Sequence, residues 1–317
     1  MKMRKKVFLG IDTSNYTTSC AVADLNGQII ENYKILLPVK HGENGLRQSD
    51  AVFAHIKNFE IIASNIREKH ADYDIIAVGC SAYPRDCENS YMPCFLVGKA
   101  FSQMLGAIYN IDTYYFSHQM GHVQAAIYSS GVCVNDDFIA FHVSGGTTEI
   151  LHVSLNEEIY TIEQIGGSID LHAGQAIDRM GVKMGMKFPC GREMEARALE
   201  NKKMLPSSKI CVNGLDCNIS GLENIANKLF EETKDIPLVS DFIFDFLSKT
   251  LIKLTANLRK KYKDKKIVFA GGVMSNSIIQ NRLNENFEDV YFAKPEFSTD
   301  NASGIAILTM KRHFGRR

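Results

Sequence analysis

Short apolar runs come in threes in this chain. Each set of three is followed by alternating helical and extended patterns, and the whole sequence of patterns occurs twice within 317 residues. The first set opens with residues 7–11 (VFLGI), a run rich in apolar residues that reads as a buried strand. A polar loop from Asp12 to Thr17 leads to a second strand ending near Ala23. Asn26-Gly27 signals a hairpin, since both central residues of a type I′ turn need positive φ, and a third strand covers Ile29 to Leu36. Phe53, Ile56, Phe59, Ile62 and Ile66 then recur at helical spacing, predicting an amphipathic helix over 51–69. A strand at 75–79, a helix near 94–109, a strand at 113–116 and a helix from His118 complete this half.

The second half repeats the scheme. Strands are expected at 138–143, 148–154 and 158–163, then helices at about 170–185, 219–234 and 241–262. A buried strand at 266–270, a helix from Ser275, a strand at 290–293 and a last helix from Asp300 close the chain. Duplicated units of this kind suggest an α/β architecture of two ribonuclease-H-like lobes with a central cleft. The expected division is 1–130, closed by the helix 300–317, and 131–299. No Pro/Ser-rich linker or low-complexity tract separates the two halves, so the lobes are expected to be closely joined.

Lysine plus arginine equals aspartate plus glutamate at 36 each. That balance argues against a broad basic face for nucleic acid and leaves room for a local patch. The basic start Met1-Lys2-Met3-Arg4-Lys5-Lys6 resembles the start of an export signal. The apolar stretch behind it runs only from Val7 to Ile11, too short for a signal or a membrane span. A cytoplasmic protein without membrane contact is therefore expected. The eight cysteines form no CxxC pair, which favours free, mostly buried thiols. Cys80, Cys87 and Cys94 are evenly spaced, but that spacing matches no familiar metal or cluster site.

Small-residue loops follow the first strand of each half: Asp12-Thr13-Ser14 and Ser144-Gly145-Gly146-Thr147-Thr148. Glycine lets backbone approach an anion, and consecutive N–H groups with hydroxyls form a concave anion site. Asp12 would instead hold a magnesium ion through water. Plain hairpin turns remain the alternative for both loops. Gly271-Gly272 follows the strand 266–270, with Asn276 near the next helix start. That order suits a nucleoside site at a helix N-terminus, and it lacks the patterns of dinucleotide binders and P-loops.

His118 and His122 stand four apart at a helix start, a standard chelating pair for a transition metal. Two ordinary N-terminal helix histidines are the alternative. Residue 119 is Gln, so the general base of an HExxH metalloprotease is missing. Asp300 is a candidate third ligand, and His142 a further ligand or supporting partner.

The segments GIDTS (10–14), HQMGH (118–122), VSGGTTEIL (143–151), DLHAGQAIDRMG (170–181), PCG (189–191), ISGL (219–222), FAGGVMSN (269–276) and STDNA (298–302) together resemble the tRNA threonylcarbamoyladenosine transferase family, formerly known as O-sialoglycoprotein endopeptidases. The likeness covers nearly the whole chain. It implies an actin-like ATPase (ASKHA) fold and a metal, iron or zinc, on His118, His122 and Asp300. It places an adenylate or ATP, with magnesium as an option, against Ser144, Gly145, Gly146, Asp178, Gly191 and Asn276. Thr147, Glu195, Gly271 and Gly272 complete that expected set. The implied reaction moves threonylcarbamoyl from its adenylate to N6 of an adenosine in tRNA. The implied partners are a related actin-like subunit and a small ATPase.

Departures from the family pattern are local. Asn15-Tyr16-Thr17-Thr18 replaces an acidic loop, and Tyr83-Pro84-Arg85-Asp86 replaces Gly-Pro-Gly-Leu. Gly174-Gln175 stands for Gly-Glu, and no Pro-Glu-Leu-Ala-Ser-Arg stretch is evident near 45–51. A changed acceptor, ion or partner is one consequence, and a non-catalytic nucleotide-binding subunit is the alternative from another class. A metallopeptidase and a kinase or ATPase on the shared fold are further alternatives.

Overall fold

The computed structural model describes residues 4–14, 16–38, 46–69, 72–156 and 159–315. Asn15 of the altered loop, Gly45, Glu158 and the last two residues of the expected closing helix lie outside the described residues. The chain divides into two units. The first comprises Met1–Ser129, Ser154–Ile162 and Thr299–Arg317, and the second Ser130–Val153 and Glu163–Ser298.

In the first unit, β1 (Lys5–Thr13), β2 (Thr17–Asp24), β3 (Ile29–Leu36), β4 (Tyr73–Tyr83) and β5 (Asp112–Ser117) form one sheet in the order β3-β2-β1-β4-β5. The first three strands are antiparallel, and β4 and β5 run parallel to β1. β1 reads as a continuous apolar run because both its faces are covered. Val7, Leu9 and Ile11 pack on α1 (Gln48–Lys69) and α2 (Phe95–Tyr109) through Phe59, Ile62 and Val97. Phe8 points the other way, onto Ala302, Ala306, Ile307 and Met310 of the segment that carries α10 (Ser303–His313). Gly10 lies on that second face, where a Cβ would come within 2.6 Å of the Ala302 carbonyl oxygen. Its missing side chain lets α10 sit directly on the strand.

The second unit repeats the order. In its seven-stranded sheet, β8 (Ile159–Ser168), β7 (Thr148–Asn156), β6 (Phe138–Val143), β11 (Ile267–Ala270) and β12 (Val290–Phe292) follow one another as β3, β2, β1, β4 and β5 do in the first. A hairpin of β9 (Cys211–Asn213) and β10 (Asp216–Asn218) extends the β8 edge. Phe141, Phe269 and Phe292 stack across β6, β11 and β12 with centroids 4.6 and 5.2 Å apart. The helices α4 (Ala173–Lys183), α5 (Gly191–Leu199), α6 (Ser220–Thr233) and α7 (Ile236–Lys261) enclose the core that includes these rings. α8 (Ser277–Asn286) and the single turn α9 (Pro295–Ser298) complete the unit.

Several expectations change. Asp12 and Thr13 belong to β1 and are buried, so the polar loop is shorter than its residue types suggested. The Asn26-Gly27 turn is not type I′, because only Gly27 has positive φ, at 79°. The Asp24 side chain accepts from the N–H of Asn26 and Gln28 at 2.8 and 2.9 Å, and its carbonyl accepts from Gly27 N–H at 3.1 Å. α1 keeps Phe59, Ile62 and Ile66 of the expected face on the core, but its first turns are rotated outward. Phe53 and Ile56 are 60% and 52% exposed, while Ala51, His55, Phe59 and Ile62 are buried. α7 begins at Ile236 rather than 241, because Asp235 caps it by accepting from Leu238 N–H at 3.0 Å and Pro237 fits the first turn. The last helix starts at Ser303, so Asp300 lies in the loop before it. All eight cysteines are free. No described helix is long and apolar enough to cross a membrane.

Candidate metal centre and nucleotide loops

β5 passes directly into α3 (His118–Ser130), so the chelating pair opens the helix. His118 and His122 lie one turn apart with their Nε2 atoms 2.9 Å from each other. Asp300 brings Oδ1 to 3.2 Å from His122 Nε2 and 3.5 Å from His118 Nε2. These separations bracket the roughly 3.3 Å expected between two ligands that each sit ~2.0 Å from a tetrahedral ion. They form the one group of this kind among the described residues. The donor set, two imidazoles and a carboxylate converging on a point, suits iron or zinc.

Support for the group comes from residues that local spacing could not reveal. Asp12 Oδ1, fully buried, lies 2.8 Å from His118 Nδ1 and also accepts from Ser81 Oγ. An imidazole that donates Nδ1–H to a carboxylate presents its Nε2 lone pair outward, the usual arrangement behind a metal-bound histidine. Asp12 Oδ1 is thus engaged with His118, while its Oδ2 is buried with no hydrogen-bond partner. Ser14 Oγ donates to Asp300 Oδ2 at 2.8 Å. Burial opposes charge on His118, but the Asp12 and Asp300 carboxylates outweigh it and push the imidazole up to about 10. Burial likewise opposes charge on Asp300, and the two histidines hold it well below the usual carboxylate range. A proton therefore competes with any metal for His118.

Two glycines set the distance across this group. A Cβ on Gly304 of α10 would collide with the Gly121 carbonyl oxygen of α3 and lie 3.0 Å from Ala125 N. The helices touch backbone to backbone one residue before His122. Ahead of α10, Asn301 Oδ1 accepts from Ser303 N–H at 3.0 Å and its amide donates to Thr299 O at 2.7 Å, fixing the turn that carries Asp300.

Where the family loop is acidic, this chain has a buried neutral network. Thr18 Oγ1 is 2.8 Å from His55 Nδ1 and accepts from Asn58 at 2.9 Å, and burial pushes His55 below its ordinary value. The other histidine and cysteine candidates are not part of the metal group. His142 lies in β6 of the second unit. Cys80 and Cys94 are buried and Cys87 is exposed.

In the second unit, the Ser144 loop is a closed turn between β6 and β7. Ser144 N–H donates to Thr147 O at 2.8 Å, and the Ser144 and Thr147 hydroxyls are 2.7 Å apart. Gly174, at the start of α4, braces it, since a Cβ there would lie 2.6 Å from Ser144 O. Gly271 follows β11, the neighbour of β6, with φ 96° and its α-carbon against the Val143 backbone. Above Gly145, Gly146, Gly191 and Gly272 a Cβ would meet nothing within 4 Å, which is open space at the backbone. Asn276 caps α8 with Oδ1, 3.0 Å from Ile279 N, while its Nδ2 is buried without a partner. An unsatisfied buried donor beside bare backbone fits a site for an anionic ligand.

Other members of the expected set brace the site. Asp178 accepts from Cys190 N–H at 2.8 Å, and burial raises its pKa. Glu195 accepts from Ser277 N–H and Oγ at 2.7 and 2.5 Å, tying α5 to α8.

A family model described as TsaD, tRNA N6-adenosine threonylcarbamoyltransferase, matches residues 91–307. A tRNA N6-adenosine threonylcarbamoyltransferase of Francisella philomiragia is 27% identical over 318 residues, covering 96% of this chain and 90% of the relative. Among solved structures, HypF of T. kodakarensis superposes with TM-score 0.65 at 11% identity, covering 99% of this chain and 48% of that one. A ROK family glucokinase from Streptomyces griseus, solved with glucose and AMPPNP, gives 0.55 at 14% identity, covering 96% and 99%. The fold is that of the actin-like ATPases, as the resemblance in the sequence implied.

Proposed function

Because the chain belongs to the TsaD family of tRNA N6-adenosine threonylcarbamoyltransferases, we propose that it transfers threonylcarbamoyl from its adenylate to N6 of an adenosine in tRNA. The observation that carries this reading is the His118, His122 and Asp300 group with Asp12 behind it. A chain that only assembled with others would not need converging ligands or a carboxylate aimed at one of them. In the reaction, the N6 lone pair attacks the carbamoyl carbon and a C–N bond forms. The C–O bond to the phosphate breaks, AMP leaves with the electron pair, and the amine proton passes to water.

A metal held by His118, His122 and Asp300 would supply a Lewis acid for the developing negative charge. This chain's own residues position the reactants. The exposed backbone of Gly145 and Gly272, with Asn276 Nδ2, is suited to hold the phosphate at fixed distance, while Gly146 N–H donates to Ser144 Oγ at 3.3 Å and keeps the turn closed. Asp12 holds His118 in the tautomer that keeps Nε2 available. The family reading extends to a cytoplasmic setting, with a related actin-like subunit and a small ATPase as partners. Mass spectrometry of tRNA nucleosides from a deletion strain, complemented by wild type or by His118→Ala, tests the proposal. Loss of threonylcarbamoyladenosine restored only by wild type is expected. Unchanged levels in a deletion strain with no second family member would overturn it.

A further inference from the structure

The segment Tyr83-Pro84-Arg85-Asp86, where this chain departs from the family pattern, helps to build a cavity of about 440 Å³ within the first unit. Its walls include Tyr83, Asp86, Tyr114, Phe116, Tyr160 and Arg312. That volume lies in the range of small-ligand sites, and the lining combines flat aromatic faces with one carboxylate and one guanidinium. Such a set matches a planar heterocycle bearing hydrogen-bond donors and a phosphate.

The walls are fixed in advance. Tyr160 Oη donates to the buried Gln124 Oε1 at 2.6 Å and receives Lys311 Nζ at 3.3 Å, so its ring cannot turn freely. Tyr114 Oη donates to Asp112 at 3.2 Å. Asp86 Oδ2 accepts from Ser117 Oγ at 2.5 Å, which orients the carboxylate. Asp86 Oδ1 makes no hydrogen bond among the described residues. A lone carboxylate oxygen accepts from an exocyclic amino group, as on adenine, cytosine or guanine, and uracil has none.

The cavity is distinct from the metal group. Met120, which also lines it, sits between His118 and His122 on α3 and projects roughly 200° around the helix from either. About one helix diameter, ~10 Å, therefore separates the two. A base seated here is a different base from the one that reacts.

We propose that this cavity is a subsite for an amino-bearing nucleotide base, unstacked from the RNA substrate and held beside the reacting adenosine. The proposal rests on the tRNA reading and deepens it, and Tyr83 and Asp86 are its specificity-determining residues.

The test measures binding of a labelled anticodon stem-loop and, separately, of CMP, GMP and UMP, because AMP would also occupy the nucleotide loops of the second unit. Wild type is compared with Tyr83→Ala, Tyr83→Phe and Asp86→Asn. Metal content and melting temperature serve as fold controls. Tyr83→Ala is expected to weaken the stem-loop about 5- to 150-fold, the span of one lost base–aromatic stack, with Tyr83→Phe restoring it. Asp86→Asn should narrow the preference for CMP and GMP over UMP. Stem-loop and monophosphate affinities within twofold of wild type in all folded variants would overturn the subsite while leaving the family reaction intact. Monophosphate binding that depends on Tyr83 and Asp86, with no stem-loop binding by wild type, would sustain a nucleotide site and count against the tRNA reading. Binding of neither probe would overturn the subsite.

Discussion

Replacing Asp12 by Asn removes one charge from a buried pair and leaves its shape nearly unchanged. In the wild type, Asp12 Oδ1 lies 2.8 Å from His118 Nδ1 and the carboxylate side chain is 1% exposed. Two effects follow with opposite consequences. Loss of a carboxylate that orients a ligating imidazole typically weakens metal binding about 10- to 100-fold. The same carboxylate also helps to push His118 up to about 10, so in wild type a metal must expel a proton at neutral pH. Wild-type affinity should therefore rise about tenfold per pH unit between roughly pH 7 and 9. In Asp12→Asn the proton is held less tightly and the slope should flatten. The ratio of variant to wild-type affinity should then fall as pH rises, with the full 10- to 100-fold deficit appearing only in alkaline solution. Zinc binding measured against a chromophoric chelator at several pH values gives the ratio directly. A ratio that is constant across pH would refute the role assigned to Asp12. Stability of the metal-free protein gives an independent check. The folded His118 value lies above the unfolded one near 6.5, so its contribution is complete below about 6.5 and is lost as pH rises through about 10. The Asn variant should show less of that alkaline loss.

Gly304→Ala drives a methyl group into the Gly121 carbonyl. It should cost about 1–3 kcal/mol by thermal or denaturant unfolding and lower the bound metal in the protein that still folds. Asp170 accepts from Ile219 N–H at 2.8 Å and Ser220 Oγ at 2.6 Å; burial works against its charge, but these bonds hold it below the usual carboxylate range. Its contribution is therefore present above about pH 4 and lost as pH falls. Asp170→Ala should lose about 1–2 kcal/mol at neutral pH and flatten the acid limb of an unfolding curve. Asn276→Asp keeps the oxygen that caps α8 and replaces the unpartnered buried donor by an acceptor. Calorimetric titration with AMP should show affinity at least about tenfold weaker with little change in melting temperature; equal affinity would remove Asn276 from the nucleotide site.

Features that depend on neighbours in sequence were legible. The four-residue spacing of His118 and His122, the glycine turn at 144–147, and both sets of three strands could be read directly because helix and hairpin geometry is local. Contacts between distant segments left no such trace. Nothing near Asp12 indicates that its carboxylate reaches a histidine 106 residues away, and Ser14 meets Asp300 across 286. Side chains also overruled local propensity. Asp24 imposed its own turn on Asn26-Gly27, and α1 buried a histidine in place of Phe53 and Ile56. The β9–β10 hairpin is too short to give an alternating pattern, although Gly214 with φ 61° marks its turn. The start of α7 was readable in principle, since Asp235 and Pro237 are ordinary start signals.

The backbone contact between Gly121 and Gly304 also bears on the order of events during biosynthesis. The first unit is interrupted, and its last segment, from Thr299 onward, leaves the ribosome after all of the second unit. Until then, the face of β1 that bears Phe8 and Gly10 lacks α10, and His118 and His122 have no carboxylate from Asp300. The second unit can complete its core while the first still waits. A site with all three ligands therefore waits until Asp300 has emerged, and a nascent chain stalled before residue 299 would carry paired histidines without the carboxylate.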